Sequence, residues 1–387
     1  MTTSVVIAAC SLAAWIYLLT WRGGFWLSRQ RDDRDLPPPS SSAGDWPAVT
    51  AVIPARNEAE LLPRCLASLA AQDYRGAFNI IVVDDQSTDG TGEAAARVGN
   101  VAPRSISVVT GVPLPTAWTG KVWAMHQGVA RANTAETPPN YLLLADADIA
   151  FEAGALTSLV ARARDGNLVL TSVMAKLRCE SIAERALIPA FIFFFQMLYP
   201  FAWVNSKSSA TAAAAGGCML VDRAALGSAG GLAAIRNNLI DDCSLAAAMK
   251  AQGPIWLGLT DRVTSLRPYP VFNDIRQMVA RSAYTQLRRS PLLLIGTVLA
   301  MSIVYIAPPT LAVAANQPAN VIGLAAYALM FVAFLPTLLF YRRSPLWGLA
   351  LPAIAAAYLA FTLDSAYKHF RGKGGLWKGR IQAVPGK

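Results

Sequence analysis

The chain is too apolar to be an ordinary soluble protein. Of its 387 residues, 54% are hydrophobic and only 15% are charged, whereas soluble domains carry about 25% charged residues. Its net charge of +10 does not require nucleic acid, because the basic residues cluster beside apolar runs and no RNA- or DNA-binding motif accompanies them. Composition therefore predicts a membrane protein without a nucleic-acid partner.

Four apolar runs are long enough to cross a bilayer, which takes about 20 residues of helix. Thr3 to Trp21 predicts an N-terminal transmembrane anchor within residues 1–22. It differs from a secretory signal because no basic segment precedes it. Three further runs predict two or three C-terminal transmembrane helices within residues 291–366: Pro291 to Val313, Ala319 to Tyr341 and Leu346 to Ala366.

Basic residues beside the spans predict their orientation, since cytoplasmic ends carry an excess of Lys and Arg. The region between the anchor and the C-terminal helices is flanked on both sides by basic residues, which are Arg22, Arg29, Arg31 and Arg34 before it and the basic juxtamembrane segment 276–290 after it. This predicts an inner-membrane protein with the region in the cytoplasm.

The same rule conflicts with three full C-terminal crossings. Arg342 and Arg343 predict a return to the cytoplasm, so a further crossing would place the basic tail, 367–387, outside. Either one segment is re-entrant, with Pro308-Pro309 and Pro352 as candidate breaks, or the rule is broken in this chain.

Residues 46–275 have the pattern of one α/β domain, joined to the anchor by a proline- and serine-rich linker, 23–45. The strand Ala48 to Ile53 ends in Pro54-Ala55-Arg56-Asn57-Glu58, and the strand Asn79 to Val83 ends in a cluster that begins with Asp84-Asp85. Ligands in open α/β sheets collect at the carboxyl ends of strands, so both clusters predict a nucleotide site. For Asp84 and its neighbours the alternative is a helix cap and turn.

Four strand-prone residues, Tyr141 to Leu144, lead through Ala145 into Asp146-Ala147-Asp148. Two carboxylates at a strand end can hold a divalent cation against phosphate oxygens, because Mg²⁺ commonly binds one or two protein carboxylates and takes its other ligands from substrate and water. The alternative is a pair of solvated aspartates in a loop.

These three motifs, in this order and spacing, resemble family 2 glycosyltransferases of the GT-A fold. The segment Pro113 to Ala124, the aromatic segment Pro189 to Trp203 and the terminal Trp377-Lys378-Gly379-Arg380 resemble the hopene-associated subgroup of that family. The resemblance implies an α/β GT-A domain plus transmembrane helices. It also implies an inverting enzyme that takes a sugar from a nucleotide-diphosphate donor, preferably a UDP-sugar, and passes it to a lipid, with a hopanoid suggested by the subgroup.

The resemblance also implies roles for single residues at the donor site. Asp148 and Asp146 would bind the metal, Mn²⁺ or Mg²⁺, with Asp146 also contacting ribose or sugar. Lys121 would neutralise phosphate, although an exposed lysine near a turn is the alternative. The remaining residues would seat the nucleoside: Pro54, Glu58, Asp84 and Asp85.

A later acidic pair, Asp241-Asp242, matches the position of the family's catalytic base. Asp242 is the expected base and Asp241 occupies a position more often held by Glu. An inverting transfer needs a group that accepts the proton of the attacking hydroxyl. The alternative is a pair of acids that stabilises a helix N-terminus. The family's last motif is imperfect here, and Arg276 and Arg281 either bind the diphosphate or form an interfacial basic cluster.

The aromatic run 186–204 is expected to be an interfacial segment. As a full span it would separate Asp146 and Asp148 from Asp241 and Asp242 by a membrane, so an interfacial placement beside the lipid acceptor is favoured over a buried core helix. Two alternatives to the main prediction remain: a polyprenyl-phosphate glycosyltransferase, which needs no strong base, and a non-catalytic membrane scaffold with a decayed transferase domain.

Overall fold

The apolar runs of residues 46–275 form the strands of one sheet. The computed structural model describes residues 2–34, 46–372, 376–377 and 380–381. Contacts divide them into a sheet unit, from within Gln30–Arg178, Trp203–Pro268 and Leu376–Lys387, and a helical unit, from within Met1–Arg29, Cys179–Ala202 and Tyr269–Gly375.

The sheet unit contains an eight-stranded mixed sheet. The strands are β1 Val49–Ala55, β2 Phe78–Asp84, β3 Ile106–Thr110, β4 Tyr141–Ala145, β5 Ile149–Phe151, β6 Leu170–Lys176, β7 Cys218–Asp222 and β8 Ile255–Ser265. Their order is β3-β2-β1-β4-β7-β6-β8-β5. The first four run parallel, and β7 is antiparallel to both of its neighbours, β4 and β6.

This topology gathers the polar loops at one edge. The carboxyl ends of β1, β2 and β4 lie there because the strands are parallel, and antiparallel pairing of Ala145 with Cys218 brings the loop before β7 to the same edge. Pro54 is tolerated in β1 because pairing with β4 stops at Val52, so only β2 flanks the strand at Pro54.

Helices cover the sheet through small residues and apolar faces. A Cβ at Gly128 would lie 2.4 Å from a methyl carbon of Val52, so the second half of α4 needs glycine there to approach the sheet. The helices of the unit are α2 Leu62–Ala70, α3 Thr91–Gly99, α4 Gly120–Asn133, α5 Ala155–Asp165, α8 Arg223–Ser228 and α9 Asp241–Lys250. A short helix, α7 Phe201–Val204, lies at the division between the units.

The predicted linker is partly structured. Gln30 and Asp32 exchange backbone hydrogen bonds with Leu259 of β8, and the buried Asp32 accepts a 2.5 Å hydrogen bond from Thr260. The proline- and serine-rich part, 35–45, lies outside the described residues, as do Lys378 and Gly379 of the terminal motif. The other residues of that motif belong to two short paired strands, β9 Leu376–Trp377 and β10 Arg380–Ile381.

The helical unit contains the four predicted apolar runs. Among the described residues, four helices are long and apolar enough to cross a membrane: Thr3–Thr20, Pro291–Ala314, Ala319–Phe340 and Pro345–Phe370. The unit's helices are α1 Thr3–Thr20, α6 Ile182–Leu198, α10 Phe272–Ala280, α11 Ala283–Gln286, α12 Pro291–Met301, α13 Ala307–Ala314, α14 Ala319–Phe340 and α15 Leu351–Phe370. A π-helical turn, Ser302–Ile306, joins α12 to α13, and a 3-10 segment, Pro345–Ala350, precedes α15.

The aromatic run predicted as an interfacial segment is largely helix α6, and it packs inside the helical unit. Ile192 and Phe193 are fully buried, and the Phe193 ring lies 5.3 Å from that of Phe334 in α14. The side of α6 that carries Ile192 and Phe193 is therefore packed against protein, as the alternative of a buried core helix predicts. Because residues 179–202 group with the apolar helices, the sheet unit is not the continuous stretch 46–275 that the sequence suggested.

Candidate active site

The loops after β1 and β2 form an interlocked polar surface. Asp85 is fully buried, its backbone N–H donates to Ala55 O at 2.8 Å, and the Arg56 guanidinium lies 3.8 Å from its carboxylate. Asp84 accepts a 3.0 Å hydrogen bond from the N–H of Ser87, which is the turn expected as the alternative reading. Both aspartates thus stabilise the loops from which a nucleoside site would be built.

Lys121 joins motifs that are distant in sequence. It lies in the first turn of α4, and its Nζ atom is 2.7 Å from Asp146 Oδ1 and 3.4 Å from Asp241 Oδ2. Burial acts to lower the pKa of Lys121, but the carboxylates of Asp146 and Asp241 outweigh it and hold the pKa above its ordinary value. The side chain is therefore a permanent ammonium. We call Lys121, Asp146, Asp241 and Asp242 the lysine-centred cluster.

Asp242 is held rigidly at the start of α9. Its two carboxylate oxygens accept hydrogen bonds from the backbone N–H groups of Gly216, at 3.0 Å, and Cys243, at 2.7 Å. Burial, reinforced by the neighbouring charge of Asp241, raises the pKa of Asp242 to about 6, although Lys121 opposes the rise. The carboxylate is ionised at neutral pH, and its pKa is close enough to 7 for it to accept a proton.

Asp241 lacks a compensating hydrogen bond on one oxygen. Its Oδ2 atom is buried and has no hydrogen-bond partner among the described residues, although the Lys121 ammonium lies within ion-pair distance. The ion pair with Lys121 offsets part of the cost of burying this oxygen.

Arg267 is a member of the site that sequence reasoning missed. Its Nε atom lies 2.6 Å from Asp148 Oδ2, and a terminal nitrogen lies 2.6 Å from Glu58 Oε1. The residue follows β8, which pairs antiparallel with β5 so that Ser265 lies opposite Ile149. Only this pairing brings Arg267 beside Asp148, and no local sequence signal marks it.

Neither the tryptophans of the segment 113–124 nor the two predicted diphosphate-binding arginines belong to the lysine-centred cluster. The rings of Trp118 and Trp123 lie 5.0 Å apart, and the His126 ring lies 4.8 Å from that of Trp118. Arg276 belongs to the helical unit and pairs with Asp364 at 2.9 Å. Arg281 is the exposed C-cap residue of α10. Diphosphate binding by these two arginines stays a prediction.

The paired carboxylates of Asp146 and Asp148 fit a divalent cation that shares its coordination with substrate. Among the described residues, no group of three or more His, Cys, Asp or Glu side chains is arranged to hold a metal ion by itself. Two carboxylates at one strand end are the donor set that Mg²⁺ or Mn²⁺ combines with phosphate oxygens and water.

Comparisons with known proteins agree with this geometry. Residues 50–229 match the family described as Glycosyl transferase family 2. An uncharacterized glycosyltransferase of Mycobacterium bovis is 37% identical over 129 residues, which are 33% of this chain and 49% of the relative. A 4,4'-diaponeurosporenoate glycosyltransferase of Staphylococcus haemolyticus is 34% identical over 102 residues, 26% of this chain and 24% of the relative. The chain thus spans about half the length, or less, of these curated relatives.

A solved structure shares the fold over almost the whole chain. It is a mannosyltransferase from Pyrobaculum calidifontis in complex with GDP-Man and Mn²⁺, and it is 21% identical, with a TM-score of 0.56 over 96% of this chain and 99% of the mannosyltransferase. Residues 50–229 therefore match the family 2 glycosyltransferase model, and the chain has a GT-A-like α/β fold.

Proposed function

We propose that the protein is a membrane-bound inverting glycosyltransferase that moves a sugar from a nucleotide-diphosphate donor to the hydroxyl of a lipid. The observation that carries the proposal is the lysine-centred cluster, in which the metal motif and the acidic pair share one ammonium. A transferase needs the metal motif and the acidic pair close together, because the donor sugar lies between the leaving diphosphate and the attacking hydroxyl.

The donor would bind at the carboxyl edge of the sheet. Glu58, Asp84 and Asp85, beside Pro54, would seat the nucleoside, and Asp148 with Asp146 would hold Mn²⁺ or Mg²⁺. The metal would supply positive charge to the departing diphosphate, and Lys121 supplies a fixed charge of the same sign. UDP is proposed as the nucleotide from the family resemblance, and the mannosyltransferase of similar fold, solved with GDP-Man and Mn²⁺, makes GDP the competitor to test.

Asp242 would act as the base. As the acceptor oxygen bonds to C1 of the sugar, the bond from C1 to the diphosphate oxygen breaks, and the hydroxyl proton passes to Asp242. The backbone N–H groups of Gly216 and Cys243 orient this carboxylate. Its raised pKa brings its proton affinity closer to that of the reacting hydroxyl.

A lipid acceptor is supported by the apolar helices and by one relative. Four helices within the described part of the chain have the length and composition of membrane spans, and the staphylococcal relative is named a 4,4'-diaponeurosporenoate glycosyltransferase. We extend the proposal to inner-membrane placement with the sheet unit in the cytoplasm, where nucleotide sugars are found. A hopanoid is the specific acceptor proposed, on the resemblance to the hopene-associated subgroup.

Calorimetric titration of the detergent-purified protein tests the donor site. We expect UDP or a UDP-sugar to bind only with Mn²⁺ present, and we expect Asp148→Ala to abolish that binding while Asp165→Ala, an exposed aspartate at the end of α5, leaves it intact. Absence of nucleotide binding under all conditions, with GDP and its conjugates included, would overturn the proposal. Nucleotide binding without sugar transfer to any extracted membrane lipid would instead support a scaffold.

A further inference from the structure

We propose that Arg267 is a positioning residue that competes with the divalent cation for the Asp148 carboxylate. The inference rests on the proposed donor site. Arg267 bridges Asp148 and Glu58 with two contacts of 2.6 Å. The two carboxylates come from different loops, after β4 and after β1, and their side chains are only 15% and 11% exposed. Without a cation between them they would repel each other.

The arginine is fixed on the backbone side as well. The N–H of its neighbour Leu266 donates to Asp148 O at 2.7 Å, so the guanidinium starts from a defined position next to Asp148. A metal that binds Asp148 must either take Oδ2 from the Arg267 N–H or use the other oxygen beside a full positive charge. Both routes reduce metal affinity, so the arginine would keep the acidic loops ordered until metal arrives with the donor.

Binding of Mn²⁺ alone, followed by electron paramagnetic resonance of the free ion, tests the competition without any turnover. We expect Arg267→Gln to bind Mn²⁺ about tenfold more tightly than the wild type. Arg267→Lys, which keeps the charge, should lie between the two. Arg97→Gln removes an exposed charge in the last turn of α3 and should match the wild type.

Equal or weaker Mn²⁺ binding in Arg267→Gln would overturn the competition. So would tight binding that survives a second change, Asp148→Ala, because the metal would then bind elsewhere. The proposed function fails independently of this test. It is tested by nucleotide binding in the calorimetric titration, whereas the Mn²⁺ assay contains no nucleotide.

A separate observation, confined to the helical unit, concerns the last apolar segment. We infer that residues 345–370 form a re-entrant hairpin that enters and leaves the membrane on one face. The segment from Pro291 to Ala314 runs from a first face to a second. The following helix α14 returns to the first face and packs along α13, because a Cβ added to Gly323 near the start of α14 would lie 3.0 Å from Leu311 and Ala312 in the second half of α13.

The 3-10 segment Pro345–Ala350 then runs back along α14. The Tyr327 hydroxyl donates to Leu349 O at 2.6 Å, and a Cβ on Gly348 would lie 2.7 Å from the Phe331 ring. Tyr327 precedes the end of α14, Phe340, by thirteen residues, which is about 20 Å of helix. Leu349 therefore lies deep beside α14 rather than at the first face.

Helix α15 leads out again to the first face. Near its C-terminal end, Asp364 pairs with Arg276 at 2.9 Å and Ser365 Oγ accepts from the N–H of Tyr284 at 3.0 Å. Arg276 and Tyr284 both precede α12, so they mark the face from which that helix starts. Both ends of the segment 345–370 thus lie on the face where α12 begins.

The hairpin removes the conflict between the apolar runs and the charge distribution. Ser28, which follows the 3-10 turn Phe25–Leu27 after α1, has its hydroxyl 3.4 Å from that of Thr337 near the end of α14, so the segment after α1 belongs to the first face too. The loop 315–318 on the second face contains no charged residue, as expected for a non-cytoplasmic loop. The basic residues on the first face include Arg22, Arg29, Arg276, Arg281, Arg288, Arg289, Arg342, Arg343, Lys368 and Arg371.

Reporter fusions in intact cells test the hairpin independently of activity. Green fluorescent protein or alkaline phosphatase is joined to the full chain at its C-terminus, and to chains ending after residue 290 or after residue 317. We expect the C-terminal and residue-290 fusions to behave alike, fluorescent and without phosphatase activity, and the residue-317 fusion to behave in the opposite way. A C-terminal fusion that matches the residue-317 fusion would overturn the hairpin.

Discussion

The Nζ atom of Lys121 lies 2.7 Å from Asp146 Oδ1, so a side chain from the start of α4 holds the first carboxylate of the metal motif. The same ammonium lies 3.4 Å from Asp241 in the acidic pair of α9. Three segments that are far apart in sequence therefore share one electrostatic centre. We expect loss of the Lys121 ion pairs to lower activity more than loss of any single hydrogen bond around them.

Lys121→Met should lower kcat/KM by at least about a hundredfold, because it removes the fixed charge beside the leaving diphosphate. It should also lower the free energy of unfolding by on the order of 2 kcal/mol, since partly buried carboxylates lose their counter-ion. Steady-state kinetics and thermal unfolding in detergent measure the two effects. Lys121→Arg should retain much of the stability, and near wild-type turnover in Lys121→Met would contradict the role.

Asp242→Asn should reduce kcat by about 10² to 10⁴ while leaving donor binding within a few-fold of wild type. The amide keeps the size of the side chain but loses one of the two backbone hydrogen bonds, from Gly216 or Cys243, because its NH2 group cannot accept. It could also no longer accept the hydroxyl proton. Turnover and calorimetric donor binding are measured on the same preparation. A mild loss of turnover would favour a polyprenyl-phosphate acceptor, whose anionic oxygen needs no strong base.

The pH profile of the wild type should report the same group. Asp242, with its pKa raised to about 6, is protonated and unable to act as a base below that pH. The value of kcat/KM should therefore be constant above about pH 7 and fall about tenfold per unit below pH 6. Initial rates between pH 5 and 8, with donor binding checked at each pH, measure it. A profile that is flat down to pH 5 is incompatible with Asp242 as the base.

Gly216→Ala should slow turnover by about tenfold through contact with the lysine-centred cluster. The new Cβ would lie 3.1 Å from Lys121 Nζ, so the ammonium must move by a few tenths of an ångström, whereas the 3.4 Å contact with Asp242 Oδ2 is an ordinary one. Small displacements of catalytic groups are costly. Gly227→Ala is the matched control, because its added carbon would meet no described atom within 4 Å apart from its chain neighbours and its own helix backbone. Equal activity in the two variants would show that the cluster tolerates the shift.

Glu184→Gln should destabilise the helical unit by about 2 kcal/mol. The carboxylate is 1% exposed and accepts backbone hydrogen bonds from Glu180 and Ser181, each at 2.8 Å, and from Tyr269 at 2.7 Å. An amide would turn a donor toward one of these N–H groups. Thermal unfolding in detergent, with the exposed Glu136→Gln as control, should show the difference, and identical midpoints would count against it.

Sequence patterns were sufficient where one local signal dominates. The buried strand β1 and the apolar helices follow from continuous apolar runs, and the family match confirms the expected glycosyltransferase domain. Arg267 could not be predicted, because it approaches Asp148 only through the register of β5 and β8. The ion pairs of Lys121 likewise depend on tertiary packing. The sequence could not show that α6 groups with the apolar helices, because an apolar aromatic helix has the same sequence pattern whether it packs against protein or lipid.

The insertion of α6 into the chain of the sheet unit has a practical consequence for preparing the transferase domain. The chain leaves that unit after Arg178 and re-enters it at Trp203, so trimming the two termini cannot yield a water-soluble domain. A fragment spanning 46–275 would still carry Ile192 and Phe193, stripped of α14 and exposed to solvent, and it should aggregate. Replacing residues 179–202 by a short hydrophilic linker removes α6 at the boundaries of the sheet unit.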